Sequence, residues 1–295
     1  MILFCVLIVI VALFSRLIAL LIAVPYVARL VFSDIEQEIP HTTQSPALLR
    51  YLVIITAICA VLVVVKVLPL MQALEIWVSI GATPIVFASA LQKYKFEIAF
   101  LIASSPALIY IILKNLMFFP QIKLVIEESN QLFMSSLEKM LSPEMMESMY
   151  PTLESIKSIM LNGNAAVWMI SAIGGLLFGA LIYFRKKSHE WHFRDLKFPY
   201  YLQLGLVVGL VLFIFKIKII SYNVLFIVGL FYLIQGYSVL YCYVESILSR
   251  NKFLGIVMLV IPIFSYILLL VITFAGLLDN WLPIRKFAYH RGDKE

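Results

Sequence analysis

Residues 231–245 read FYLIQGYSVLYCYVE, and the reading of this stretch decides the fold. It lies inside a long apolar run, yet it carries Gln235, Ser238, four tyrosines and a closing Glu245. On a helix Gln235, Ser238, Cys242 and Glu245 follow at steps of three and four residues and share one face. Tyr237 and Tyr241 form a neighbouring pair one turn apart. Acyl chains offer a polar group no partner, so this face must point into a bundle or a wet cavity.

The composition agrees that the solvent is lipid. Of 295 residues 63% are hydrophobic and only 14% are charged, with a mean hydropathy of +1.00. A soluble domain is about a quarter charged and about half apolar, so no globular core hides this much apolar surface. The net charge of +6 sits largely in short loops such as RKKSHEWHFRDLK at 185–197. Membrane orientation explains such loops, and nucleic acid is excluded as a partner. Cys5, Cys59 and Cys242 lie in apolar runs without metal or redox spacing and read as small core residues. The opening MILFCVLIVIVALFSRLIALL lacks a basic region ahead of its apolar stretch, which predicts a retained span.

About 20 apolar residues cross a bilayer as a helix. On that ruler candidate spans lie near 2–31, 50–68, 70–91, 96–118, 165–184, 199–220, 223–247 and 253–281. The expectation is an all-α, polytopic transmembrane helical bundle of seven to eight spans. It divides into 1–49 (a span and an acidic loop), 50–119, 120–164 and 165–295. Residues 50–91 are too long for one helix and just suffice for two, joined near Lys66 and Pro69. QKYK at 92–95 and the 185–197 loop are basic and predict the inner side; RNKF at 251–254 fits the same side. Residues 120–164 hold six glutamates against three lysines and predict the outer side. Eight spans would put the basic tail RKFAYHRGDKE outside. Either one span is miscounted, or the last segment does not cross fully.

The 120–164 segment predicts amphipathic helices. Ile126, Phe133, Leu137, Met140 and Leu141 fall near one face. Ser142, Pro143 and Glu144 read as an N-cap, a first-turn proline and a first-turn acid, and Pro151 is expected to restart the helix. Six of the eleven methionines lie here, which suits a surface on the bundle or membrane, or an adaptable lid.

Small residues recur at helical spacing: Ala99, Ala103 and Ala107, then Gly175 and Gly179, then Gly205 and Gly209. Such stripes let helices approach closely, within this chain or against a partner subunit. The charges within or near spans are Arg16, Lys66, Glu75, Glu97 and Lys114, with Arg16 the most central. They suggest no carboxylate–histidine relay. His189 and His192 lack a third ligand, so neither metal nor cofactor is expected. There is no Walker A pattern, no H-E-x-x-H and no G-x-S-x-G, and the expectation is that the chain is not an enzyme.

From 193 to 286 the chain resembles the YybS-like family of bacterial integral membrane proteins. The resemblance rests on Phe193 to Pro199 before a span, Asn223 opening the next, Gln235 and Gly236 within it, and GLLDNWLPIRK at 276–286. The last contains Gly276, Asp279, Trp281, Arg285 and Lys286. It implies a multi-pass protein of the bacterial cytoplasmic (inner) membrane. More loosely, it implies kinship with the substrate-binding subunits of energy-coupling-factor transporters. Those depend on a transmembrane coupling subunit and ATPases.

Two functions are therefore expected. The first is a substrate-binding component of a small-molecule transport system lacking its own ATPase, with Gln235, Tyr237, Ser238 and Tyr241 lining the site. The second is a non-transporting scaffold or assembly factor using 120–164 as its contact surface. Polar helix-to-helix bonding is the structural alternative for the α-helical face at 235–245.

Overall fold

The computed structural model describes residues 1–35, 46–186 and 192–286. Among them every regular element is helical: α1 (Ile2–Phe14), α2 (Arg16–Ile35), α3 (Pro46–Val64), α4 (Leu70–Ile76), a π-helical turn (Trp77–Ala82), α5 (Thr83–Leu91), α6 (Phe96–Glu138), α7 (Pro143–Lys186), a 3-10 turn (Phe193–Asp195), α8 (Leu202–Ile214), α9 (Lys218–Arg250), α10 (Lys252–Val260), a 3-10 turn (Ile261–Phe264) and α11 (Tyr266–Leu278). Five stretches are long and apolar enough to cross a bilayer: Pro46–Val64, Leu70–Leu91, Phe96–Glu138, Ala166–Phe184 and Ile220–Arg250. Counting the bent pair Lys252–Phe264 and Tyr266–Leu278 as one gives six. The chain is an all-helical membrane protein.

Two of the eight candidate runs hold shorter apolar helices, Ile2–Phe14 within 2–31 and Leu202–Ile214 within 199–220, and two runs are broken internally. At Ser15 (φ −154, ψ 107) and Ser265 (φ −127, ψ 112) one extended residue ends a helix. Each serine then caps the next helix, accepting from Ile18 N–H at 3.4 Å and Leu268 N–H at 3.5 Å. The run at 2–31 is thus two helices, and Phe4 stacks on Tyr26 with ring centroids 3.7 Å apart as α1 folds back on α2. The run at 253–281 bends by 104°. Its two ends both meet the C-terminal third of α9: Gly255 packs on Leu248, and Tyr243 donates to Ile284 O at 2.7 Å. The pair α10–α11 enters and leaves at one end of the bundle.

The 50–91 run is two helices, as its length required. The break is a left-handed Lys66 (φ 60), with Val67 N–H donating to Leu62 O and Lys66 N–H to Val63 O. Lys216 (φ 60) ends α8 the same way, with Ile217 N–H on Leu212 O and Lys216 N–H on Phe213 O. Both are Schellman caps with lysine where glycine is usual. Two prolines, Pro84 and Pro106, are accommodated by hydroxyls. Pro84 has no N–H to return one turn back, the preceding turn widens to a π-helix, and Tyr51 donates to Ile80 O at 2.6 Å. Ser105 likewise donates to Ile102 O at 2.7 Å, four residues before Pro106.

One core cluster joins α2, α5, α6, α7 and α9, and a second joins α1 to α4 with the π-turn and Ala88 of α5. Phe96 of α6 meets Phe184 of α7 at 5.6 Å, and Phe100 meets Phe198 at 6.0 Å. These contacts put residues 92–95, the end of α7, the 192–201 segment and the C-terminal half of α9 at one end, the basal end.

At the opposite end α6 and α7 do not stop. With 43 and 44 residues each is about 65 Å long at ~1.5 Å per residue, against a hydrocarbon core of ~30 Å. The segment from about residue 120 to 164 is therefore the continuation of two spans into an antiparallel arm, not a set of separate surface helices. Ile122 and Leu153 are buried there. Ser142 caps α7 as its sequence predicts, accepting from Met145 N–H at 3.4 Å. Pro151 does not restart the helix. It sits inside α7, where the carbonyl one turn back belongs to Glu147, an exposed residue.

Candidate functional site

Charged side chains buried inside the bundle gather at its two ends. At the basal end the irregular 192–201 segment leaves backbone groups that no helix can pair. The polar face of α9 meets them at its three- and four-residue steps. Gln235 Oε1 accepts from Phe198 N–H at 2.9 Å. Ser238 donates to Phe193 O at 2.7 Å and lies 3.2 Å from Leu196 O. Cys242 Sγ reaches Arg194 O at 3.3 Å. Arg194 bridges to Glu245 at 3.0 Å.

The segment after α11 closes the same cluster. Gln235 Nε2 donates to Asp279 Oδ2 and Asn280 Oδ1, each at 3.1 Å. Asp279, 3% exposed, takes Arg285 Nη2 at 2.8 Å and Nε at 3.0 Å. Arg285 also donates to Leu196 O at 2.6 Å and to Arg194 O. One carboxylate and one guanidinium balance in charge, and both are hydrogen-bonded beyond their own pair. Gly236 and Gly276 make this geometry possible: a methyl on Gly236 would overlap the Ile272 carbonyl, and one on Gly276 the Tyr232 carbonyl.

The predicted ligand-binding residues divide accordingly. Gln235 and Ser238 bind this chain's own backbone and side chains. Tyr241 packs edge-on against Phe193 at 5.9 Å. The Tyr237 hydroxyl is buried without a hydrogen-bond partner among the described residues. Of the positions carrying the family resemblance, Gly236, Gly276, Asp279 and Arg285 converge here. Asn223 stands apart, accepting from Ala166 N–H at 3.1 Å, and Trp281 is exposed. The small-residue stripes lie inside the chain. Ala99, Ala103 and Ala107 are buried in the core. Gly175 and Gly179 face Leu20 and Val24 of α2, while Gly205 and Gly209 face Val228 and Leu225 of α9.

At the arm end three helices bring together charges far apart in sequence. Glu75 of α4 is 2% exposed, with Lys114 Nζ 2.6 Å from its Oε1 and Arg16 Nη1 against its Oε2. Arg16 opens α2 at the Ser15 break, and Lys114 lies 18 residues into α6. Sequence reasoning named all three charges but not their meeting, since nothing local links positions 16, 75 and 114. Beside them Tyr110 donates to Met71 O at 2.9 Å, and Asn164 donates to Asn115 Oδ1 at 3.2 Å.

Beyond this level the arm exposes Leu124, Leu132, Phe133, Met140, Tyr150 and Met160. A cleft of about 630 Å³ opens near its tip, lined by Met134, Leu141, Met146 and Tyr150 among others. Among the described residues no three His, Cys, Asp or Glu side chains gather as a metal site; His189 lies outside those residues. Compared with known proteins, the chain matches no family model, no curated protein and no solved structure.

Proposed function

We propose that this protein is a non-transporting scaffold or assembly factor of the bacterial cytoplasmic membrane. Its α6–α7 arm is its contact surface, on the outer side if the basic loops at 92–95 and 185–197 face the cytoplasm. The observation that supports this reading is the arm itself. About 20 residues of each helix, ~30 Å at ~1.5 Å per residue, extend past the apolar spans. They carry exposed leucine, phenylalanine and methionine side chains that no part of this chain covers among the described residues. Exposed apolar surface of this kind marks an interaction site, and methionine adapts to irregular partners.

The charge favours a different protein over a second copy. Six glutamates against three lysines between 120 and 164 repel a like arm and suit an apolar surface with a basic rim. A substrate-binding transport subunit needs free polar groups facing a cavity. Gln235 and Ser238 are engaged by the 192–201 segment, Asp279 and Asn280, so the arm carries the proposal.

Replacing residues 121–163 with a short turn tests it. Membrane insertion should persist, and the protein that co-purifies with the full chain in mild detergent should be lost. Unchanged recovery of ATPase and coupling subunits by the armless protein would overturn the scaffold reading in favour of transport.

A further inference from the structure

We propose that Arg16 and Lys114 form a binding site for a phosphate-type anion at the arm end of the bundle. The inference stands on charge and geometry independent of the arm's role. Two cations meet one carboxylate, and Glu75 has both oxygens engaged. Among the described residues neither Arg16 nor Lys114 has a second carboxylate within ion-pair distance. One positive charge is therefore uncompensated where the Lys114 side chain is 11% exposed.

An unpaired cation in such surroundings is costly and calls for a counter-charge. The basal cluster, with Asp279 against Arg285, has no such surplus. Arg16 supplies the opening: its side chain is 38% exposed, and its planar fork carries five donors, more than one carboxylate oxygen can take. It is also the first residue of the 20-residue α2, whose N-terminal partial charge adds to the same positive field.

The site's depth indicates what can reach it. Lys114 lies about 27 Å along α6 from Phe96 at ~1.5 Å per residue, close to the full ~30 Å of hydrocarbon. That is headgroup level at the arm end. A lipid phosphodiester and a free phosphate present the same oxyanion there, and a guanidinium beside an ammonium suits either.

The test uses the full-length protein in a neutral detergent. Its unfolding midpoint is measured against added phosphatidylglycerol, phosphatidylcholine or inorganic phosphate. Arg16→Gln is the informative variant, because it leaves Glu75 and Lys114 as a neutral pair. We expect anion-dependent stabilisation of the wild type and an apparent affinity about tenfold or more weaker in Arg16→Gln, as for loss of a charge-assisted contact. Lys114→Gln, which leaves Arg16 with Glu75, should lose it as well, and Arg16→Lys should restore part of it. Stabilisation by phosphatidylglycerol alone assigns a lipid headgroup. Stabilisation by inorganic phosphate too assigns a free anion. No stabilisation of the wild type by either anion, or equal stabilisation of Arg16→Gln, overturns the site.

Discussion

The two ends of the bundle both bury charge, and they do so on opposite terms. At the basal end Asp279 and Arg285 cancel, and their remaining capacity goes to Gln235 and to the carbonyls of Arg194 and Leu196. At the arm end Glu75 is outnumbered by Arg16 and Lys114. A charge-balanced network holds irregular backbone in place and leaves no net charge for a ligand to neutralise. An unbalanced one is incomplete until something arrives. Counting the charges left uncompensated separates the two ends better than asking which polar residues are buried.

The largest expected effect breaks the closed end. Asp279→Ala leaves the Arg285 guanidinium, only 14% exposed, without its carboxylate and removes one acceptor of Gln235. Breaking such a pair costs about 3–5 kcal/mol. Denaturant unfolding in detergent should show a loss of that order, and it should be the same with and without added anionic lipid. A loss that shrinks when anionic lipid is added would place ligand binding at the basal end and erase the contrast between the two ends.

Gly276→Ala sharpens the same end from the packing side. The new methyl collides with the Tyr232 carbonyl and the Gly236 amide, so α11 must shift off α9. Overpacking of this kind costs about 1–3 kcal/mol. Displacing α11 should also weaken the Asp279–Gln235 contact, so the double variant with Asp279→Ala should lose less than the sum of the two. Strict additivity would show that helix contact and polar cluster are independent.

The polar face of α9 was legible because its period is local: Gln235, Ser238, Cys242 and Glu245 announce a shared side. Its partners were not, since Phe198 is 37 residues away and Asp279 is 44. The Gly276 to Arg285 motif was visible as a pattern, and only the fold shows that it closes on Gln235. Arg16 stood out as a central charge, yet Glu75 and Lys114 reach it solely through the packing of α2, α4 and α6. The span count suffered from a different blindness. Hydropathy averages over windows, and a single extended serine at 15 or 265 turns the chain without lowering the average. Pro151 misled for the converse reason: on an exposed stretch of helix, the carbonyl that a proline leaves unpaired is not forced out of contact with solvent.

The smallest effect concerns the two hinges that end α3 and α8. Lys66 and Lys216 occupy the left-handed cap position with φ 60, where a β-carbon crowds the following carbonyl. Glycine relieves that crowding, although it gives the unfolded chain more freedom and forfeits a lysine that complements the helix C-terminus. For Lys216→Gly the net expected gain is about 0.5–1 kcal/mol in the unfolding midpoint, with the Schellman bonds of Ile217 and Lys216 kept. Lys66→Gly should gain about as much. The two lysines lie at helix ends joined to different clusters, Lys66 beside the charged Glu75 end and Lys216 at the turn into α9. Were both glycine variants less stable than the wild type, the ammonium groups themselves would be holding these turns at headgroup depth. The arm end would then owe its positive character to anchoring at the membrane surface as well as to the triad.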